Sequence, residues 1–186
     1  MSPARAAFAP LILNAPTPHK NLERFIEAFA SLKSAHPELT LALVGKQDKN
    51  YQRIESMVKK KNIANVHFTG FATDAQLRWL YEHCAAYVFP SLSEGFGLPG
   101  LEAMMHGAPV VSSNATCLPE IYGDAAHYFD PTDVQAMADA INEVLTDKKL
   151  RDNLIQKGRE QVKKYSWQRM AEQTLAIYQK VLGAQS

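Results

Sequence analysis

Two carboxylates, Glu94 and Glu102, flank a glycine-bearing run, Gly95-Phe96-Gly97-Leu98-Pro99-Gly100. Gly95 and Gly97 let the backbone approach a ligand closely. Pro99 is a favoured first-turn residue, so a helix is predicted to begin there. The unpaired N–H groups and positive dipole end of such a helix suit a phosphate. Two carboxylates beside a phosphate repel it. They make sense as acceptors for hydroxyls on either side of it, such as those of a sugar and a ribose. Glu94 falls in the loop, and Glu102 about one turn into the helix.

The same run spells G-x-G-x-x-G, and Glu120 follows 20 residues beyond Gly100. That is the pattern of a dinucleotide site, and so of an NAD-dependent oxidoreductase. The fingerprint belongs after the first strand of its unit, whereas this one follows the fourth strand-like run. Glu94 would also face the pyrophosphate. A strand-to-helix turn alone would explain the glycines, but not the two carboxylates.

The chain that must position these groups has 186 residues, 46% hydrophobic and 21% charged. This ordinary globular composition excludes a disordered tail, a collagen-like rod and a coiled coil. Lysine and arginine number 20 against 19 acidic residues, a net charge of +1. No basic excess marks a nucleic-acid partner, and Lys59-Lys60-Lys61 reads as a solvated helix end. Cys84 and Cys117 form no C-x-x-C, which argues against a disulfide framework or a zinc site. A cytoplasmic setting is the default. The six histidines show no metal-ligand spacing. The apolar stretch from Ala6 to Leu13 is short and broken by Pro10, so it reads as the approach to a first strand rather than a signal peptide.

Apolar periodicity predicts strands around Leu11–Leu13, Leu39–Val44, Val66–Phe68, Ala86–Phe89, Pro109–Ser112 and Ala126–Phe129. Between them, Leu22, Phe25, Ile26, Phe29 and Leu32 recur at helical spacing, as do Ile54, Met57 and Val58. Thr73 and Gln76 form a capping-box pattern. Gly107 can stop the helix that Pro99 opens. A short turn is expected near Leu118–Tyr122. Helices follow, one through Val134, Met137, Ile141 and Leu145, the next through Leu150, Leu154 and Ile155. The last is capped by Ser166, with Trp167, Met170, Leu175, Tyr178 and Leu182 facing inward. Alternating strands and helices imply a Rossmann-like α/β fold. Its doubly wound parallel sheet would have about six strands, with helices on both faces. Ligands of such sheets bind beyond the carboxyl ends of the strands.

The ordered set Ser93-Glu94-Gly95-Phe96-Gly97-Leu98-Pro99, Glu102-Ala103-Met104, Gly107 and Pro109-Val110-Val111 resembles the E-x7-E signature of retaining glycosyltransferases of family 4, which have the GT-B fold. Pro18-His19-Lys20-Asn21 looks like the family's opening R-K-N/G motif. Leu43-Val44-Gly45, Val66 to Phe71, Leu118-Pro119-Glu120-Ile121, Gly123 to Ala126, Asp130-Pro131 and Tyr165-Ser166-Trp167 follow in the family's order.

The resemblance implies that residues 1–186 form one nucleotide-sugar-binding domain, the C-terminal half of a GT-B enzyme whose N-terminal acceptor domain is absent. It implies that Glu94 lies beside the donor sugar with a catalytic role, and that Glu102 binds ribose. Backbone groups of Gly95, Phe96, Gly97 and Leu98 would contact sugar and phosphate, and Lys20 would neutralise the diphosphate. Phe71 would meet the base, unless it is plain core packing. Gly45 and Lys46 complete the expected donor-binding set. Relatives usually place Gly-Arg where this chain has Asn14-Ala15, so Lys20 would carry more of the charge, with His19 or Lys46 compensating. His106, where relatives often have Cys, reads as helix-end packing. No metal or other cofactor is implied. Partners would be a nucleotide sugar, with GDP-mannose preferred over UDP-sugars, and the missing domain. Peripheral membrane association of the full enzyme is also implied. A non-catalytic nucleotide-binding module on the same fold is the alternative.

Overall fold

A computed structural model describes the backbone of residues 8–13 and the whole of residues 18–183. Strands β1 (Phe8–Leu13), β2 (Thr40–Val44), β3 (Val66–Gly70), β4 (Tyr87–Phe89), β5 (Val110–Ser113) and β6 (Ala126–Phe129) form the sheet. Helices α1 (Leu22–Leu32), α2 (Lys49–Lys60), α3 (Asp74–His83), α4 (Leu98–Met105) and α5 (Leu118–Tyr122) connect them. Helices α6 (Val134–Thr146), α7 (Lys148–Val162) and α8 (Trp167–Gly183) follow the last strand. Among the described residues, no helix is long and apolar enough to cross a membrane.

The strands pair in parallel in the order β3-β2-β1-β4-β5-β6. Parallel neighbours need long crossovers, which the helices supply. Continuous apolar runs suit strands covered on both faces. On one face Leu41, Leu43, Val88 and Val111 pack with Phe25, Phe29, Met137 and Ile141. On the other, Val44, Phe89 and Val110 pack with Tyr81, Leu101, Met104 and Tyr122. The strand order reverses between β1 and β4, the switch point beyond whose carboxyl ends ligands of such sheets bind. The turn before α1 and the glycine loop before α4 are therefore drawn to one mouth.

Local chemistry sets the helix starts. The Thr73–Gln76 capping box forms at α3 as expected, with reciprocal side-chain and backbone bonds. Asp48, Asp133 and Asp147 cap α2, α6 and α7. Gly107, at φ +76°, ends α4 in the left-handed region.

Two expectations need correction. The turn near Leu118–Tyr122 is the short helix α5, started by Pro119 in its first turn. Helix α8 forms, and Ser166 Oγ accepts from Arg169 N–H at 3.4 Å at its start, but its apolar residues do not face inward. No residue of α8 is buried, and Trp167, Met170, Leu175, Tyr178 and Leu182 are all exposed. Helical periodicity identifies an apolar stripe, but tertiary structure decides whether anything covers it.

Candidate active site

Lys20 ends a single 3-10 turn, Pro18–Lys20, before α1. Three backbone-anchoring bonds fix that turn, two against the segment after β4 and one against the segment after β6. Leu92 N–H donates to His19 O at 2.7 Å. Asn21, buried and left-handed at φ 58°, donates from Nδ2 to Pro90 O at 3.1 Å and Pro131 O at 2.7 Å. A short polar side chain that tolerates the left-handed region fits this double role. The result carries Lys20 across the switch point to Glu94, where Nζ donates to Oε1 at 2.5 Å. The same ammonium lies 5.2 Å from the centre of the Phe89 ring, a cation–π contact at the end of β4. Lys20 is thus buried and paired, not a solvated helix-start lysine.

Glu94 is held by its backbone from the loop after β5. Its N–H donates to Thr116 Oγ1 at 3.1 Å, and its carbonyl accepts from Cys117 Sγ at 3.3 Å. Thr116 has φ +55°, an unfavourable conformation for a β-branched residue. The glycine loop continues to Gly97, which caps α4 at φ +95° with Pro99 in the first turn. Gly100 N–H already bonds Gly97 O at 3.1 Å, and Pro99 has no N–H. The amides that an anion docked at this helix start would meet are those of Gly97, Leu98 and the loop before them. Phe96 sets its ring edge-on to Tyr165, 5.5 Å between centres, and Leu98 is exposed.

Glu102 lies in α4 and is exposed. Tyr81 Oη donates to Glu102 Oε2 at 3.5 Å, a long bond. Burial pushes the Tyr81 hydroxyl well above its ordinary pKa, and the Glu102 charge adds to the rise. His106 stacks on Tyr81 at 5.9 Å, the helix-end packing expected of it.

Gly45, Lys46 and Phe71 sit at the carboxyl ends of β2 and β3, two and three strands from β4. Gly45 N–H donates to Gly70 O at 3.0 Å, which joins the two strand ends. Lys46 is exposed, and Phe71 is 84% exposed, so Phe71 is not core packing. The structure therefore gathers Lys20, Glu94 and the glycine loop, with Glu102 on the following helix. Gly45, Lys46 and Phe71 form a separate group along the same edge of the sheet. Asn14 and Ala15 lie outside the described residues. Sequence reasoning missed the supports: Asn21 as a bridge, Thr116 and Cys117 beneath Glu94, and Tyr81 beside Glu102. Of these only Asn21 carried a signal, its place in the opening motif.

With this geometry in view, residues 11–161 match the family model described as Glycosyl transferases group 1. The chain belongs to this glycosyltransferase family. It is 35% identical over 166 residues to the O-antigen chain mannosyltransferase B of Escherichia coli, covering 87% of the chain and 43% of that protein. The C-terminal domain of the group 1 glycosyltransferase LpcC from Francisella tularensis shares its fold. The TM-score is 0.72 at 26% identity, over 84% of each chain. Sucrose-phosphate synthase from Thermosynechococcus elongatus aligns with a TM-score of 0.83 at 29% identity, over 96% of this chain and 47% of that one. The chain spans less than half the length of the curated relatives it matches.

Proposed function

We propose that this chain is the donor-binding, C-terminal half of a retaining GT-B glycosyltransferase, acting on a nucleotide sugar. The observation that carries the reading is the Lys20–Glu94 pair, 2.5 Å apart at the mouth of the loop that opens α4. A cation, a carboxylate and a helix start in one crevice suit a donor with a diphosphate between two hydroxyl-bearing groups. The O-antigen mannosyltransferase relative supports mannose as the sugar; GDP-mannose is the first choice of donor, with UDP-sugars next.

In this reading the glycosyl bond breaks toward the diphosphate as positive charge builds at the anomeric carbon. Lys20 and the amides of Gly95–Leu98 stabilise the negative charge that develops on the leaving group. Glu94 accepts from sugar hydroxyls near the reacting carbon, and Glu102 accepts from the ribose. Phe71 meets the base, with Gly45 and Lys46 beside it. The acceptor, a saccharide or a lipid-linked one, is held by a second domain.

Titration calorimetry with GDP, UDP, ADP and dTDP tests this reading. One nucleoside diphosphate should bind at least tenfold more tightly than the others, and a bound structure should place its phosphates at Gly95–Leu98. Failure of all four to bind, or a nucleotide on another face, would overturn it.

A further inference from the structure

The third glycine of the G-x-G-x-x-G run has no conformational reason to be glycine. Gly97 has a positive φ, but Gly100 does not. Gly100 lies inside α4, where glycine is disfavoured relative to alanine. The explanation lies in α5. A Cβ on Gly100 would stand 2.3 Å from both Cζ and Oη of Tyr122, and 2.9 Å from its Cε1. A Cβ on Gly97 would stand 2.5 Å from the same hydroxyl and 2.7 Å from Leu118 Cδ2. Two glycines thus form a socket for one tyrosine, which is fully buried.

The hydroxyl in that socket makes a directed bond: Tyr122 Oη donates to Gly97 O at 2.6 Å. The Gly97–Leu98 peptide is trans, so its carbonyl and its N–H point in opposite directions. Fixing the carbonyl toward Tyr122 therefore turns the Leu98 N–H away from it. Leu98 is the first residue of α4, and its N–H is one of the amides with no partner within the helix. Helix α5 is itself braced from behind. Ile121 O accepts from Gln161 Nε2 at 2.7 Å and from Tyr165 Oη at 3.0 Å. Burial, with the Glu94 charge second, pushes the Tyr122 hydroxyl well above its ordinary pKa. It therefore remains a proton donor across the neutral range.

We propose that Tyr122 is a positioning residue of the donor site: its hydroxyl pins the Gly97 carbonyl so that the Leu98 amide faces the donor's phosphates, and Gly97 and Gly100 lack side chains to seat it. The phosphate side of this rests on the function proposed above; the socket and the pinned peptide do not.

The test compares the wild-type chain with Tyr122→Phe, Gly100→Ala, Tyr122→Leu and the Gly100→Ala/Tyr122→Leu pair. Three quantities are read: melting temperature, the NMR order parameter of the Leu98 N–H, and affinity for GDP and UDP. Tyr122→Phe keeps the ring but loses the hydroxyl. It should change melting little, lower the Leu98 order parameter, and weaken the nucleotide that binds by about three- to tenfold. Gly100→Ala should lower the melting temperature, and adding Tyr122→Leu should recover it without restoring the order parameter or affinity. That split separates positioning from packing. A wild-type order parameter at Leu98 in Tyr122→Phe would overturn the proposal, as would its full recovery in the double variant. If wild type binds neither GDP nor UDP, the proposed function fails, and the order-parameter comparison still decides whether Tyr122 pins the loop.

Discussion

Lys20 Nζ and Glu94 Oε1, separated by 74 residues in sequence, meet at 2.5 Å with side chains only 11% and 13% exposed. The pair staples the turn after β1 to the loop after β4. Glu94 also occupies the position near Lys20 that an arriving anion would favour, so the pair is electrically neutral before donor arrives.

Lys20→Met should therefore act twice. It leaves Glu94 without its counter-charge, which costs on the order of 3 kcal/mol of stability for a pair this buried. It should also weaken nucleoside diphosphate binding by tenfold or more, the loss expected for a charge-assisted bond. Urea unfolding and calorimetry read the two effects. Adding Glu94→Gln should recover much of the stability and none of the affinity. A double variant no more stable than Lys20→Met would contradict the pairing.

Glu102→Ala should weaken the nucleoside diphosphate itself, because the ribose loses an acceptor worth about 1.5–3 kcal/mol. Glu94→Gln should spare the nucleotide and weaken the sugar-bearing donor. Calorimetry with each ligand on each variant distinguishes them. Equal losses on both ligands for both variants would refute this division of roles.

The 186-residue chain alone should bind donor yet transfer no sugar at a useful rate. Holding the acceptor in near-attack geometry is worth about 7–11 kcal/mol, and an open crevice admits water that weakens each contact to the diphosphate. Product formation with GDP-mannose and saccharide acceptors, with and without an N-terminal acceptor domain supplied in trans, measures this. Robust transfer by the chain alone would relocate the acceptor site.

Alkaline pH should destabilise the fold in a defined window. Burial raises the hydroxyl pKa values of Tyr81, Tyr87 and Tyr122, while unfolded tyrosine ionises near about 10. Above that pH the unfolded chain binds fewer protons than the folded one, so stability falls as pH rises. Each such tyrosine contributes up to about 1.4 kcal/mol per pH unit. The contribution is fully present below about pH 10. Urea midpoints from about pH 8 to pH 11 should fall less steeply for Tyr122→Phe than for wild type. Parallel curves would show that Tyr122 ionises freely in the fold.

What could be read from sequence follows from range. The strands were legible because runs such as Leu41–Val44 and Tyr87–Phe89 are apolar on both sides, and the α3 start because Thr73 and Gln76 cap within one turn. Glu94, the glycine loop and Glu102 were legible because they are contiguous. Lys20 is legible through its place in the opening motif, but its pairing with Glu94 is a tertiary contact that no local pattern encodes. Tyr122 escaped notice because its partners are a carbonyl and two absent side chains. The outward stripe of α8 was misread because periodicity carries no information about cover.

Thr116 bears on how such a site would respond to selection. Its φ of +55° is unfavourable for a threonine, by roughly 1–3 kcal/mol, yet its hydroxyl carries the Glu94 amide. A search for heat-resistant variants would find Thr116→Gly early, since glycine relieves the backbone. The variant would melt later and let Glu94 drift. Thermostability gained at this position would come with a loosened Glu94, and a library screened on melting alone would enrich for it.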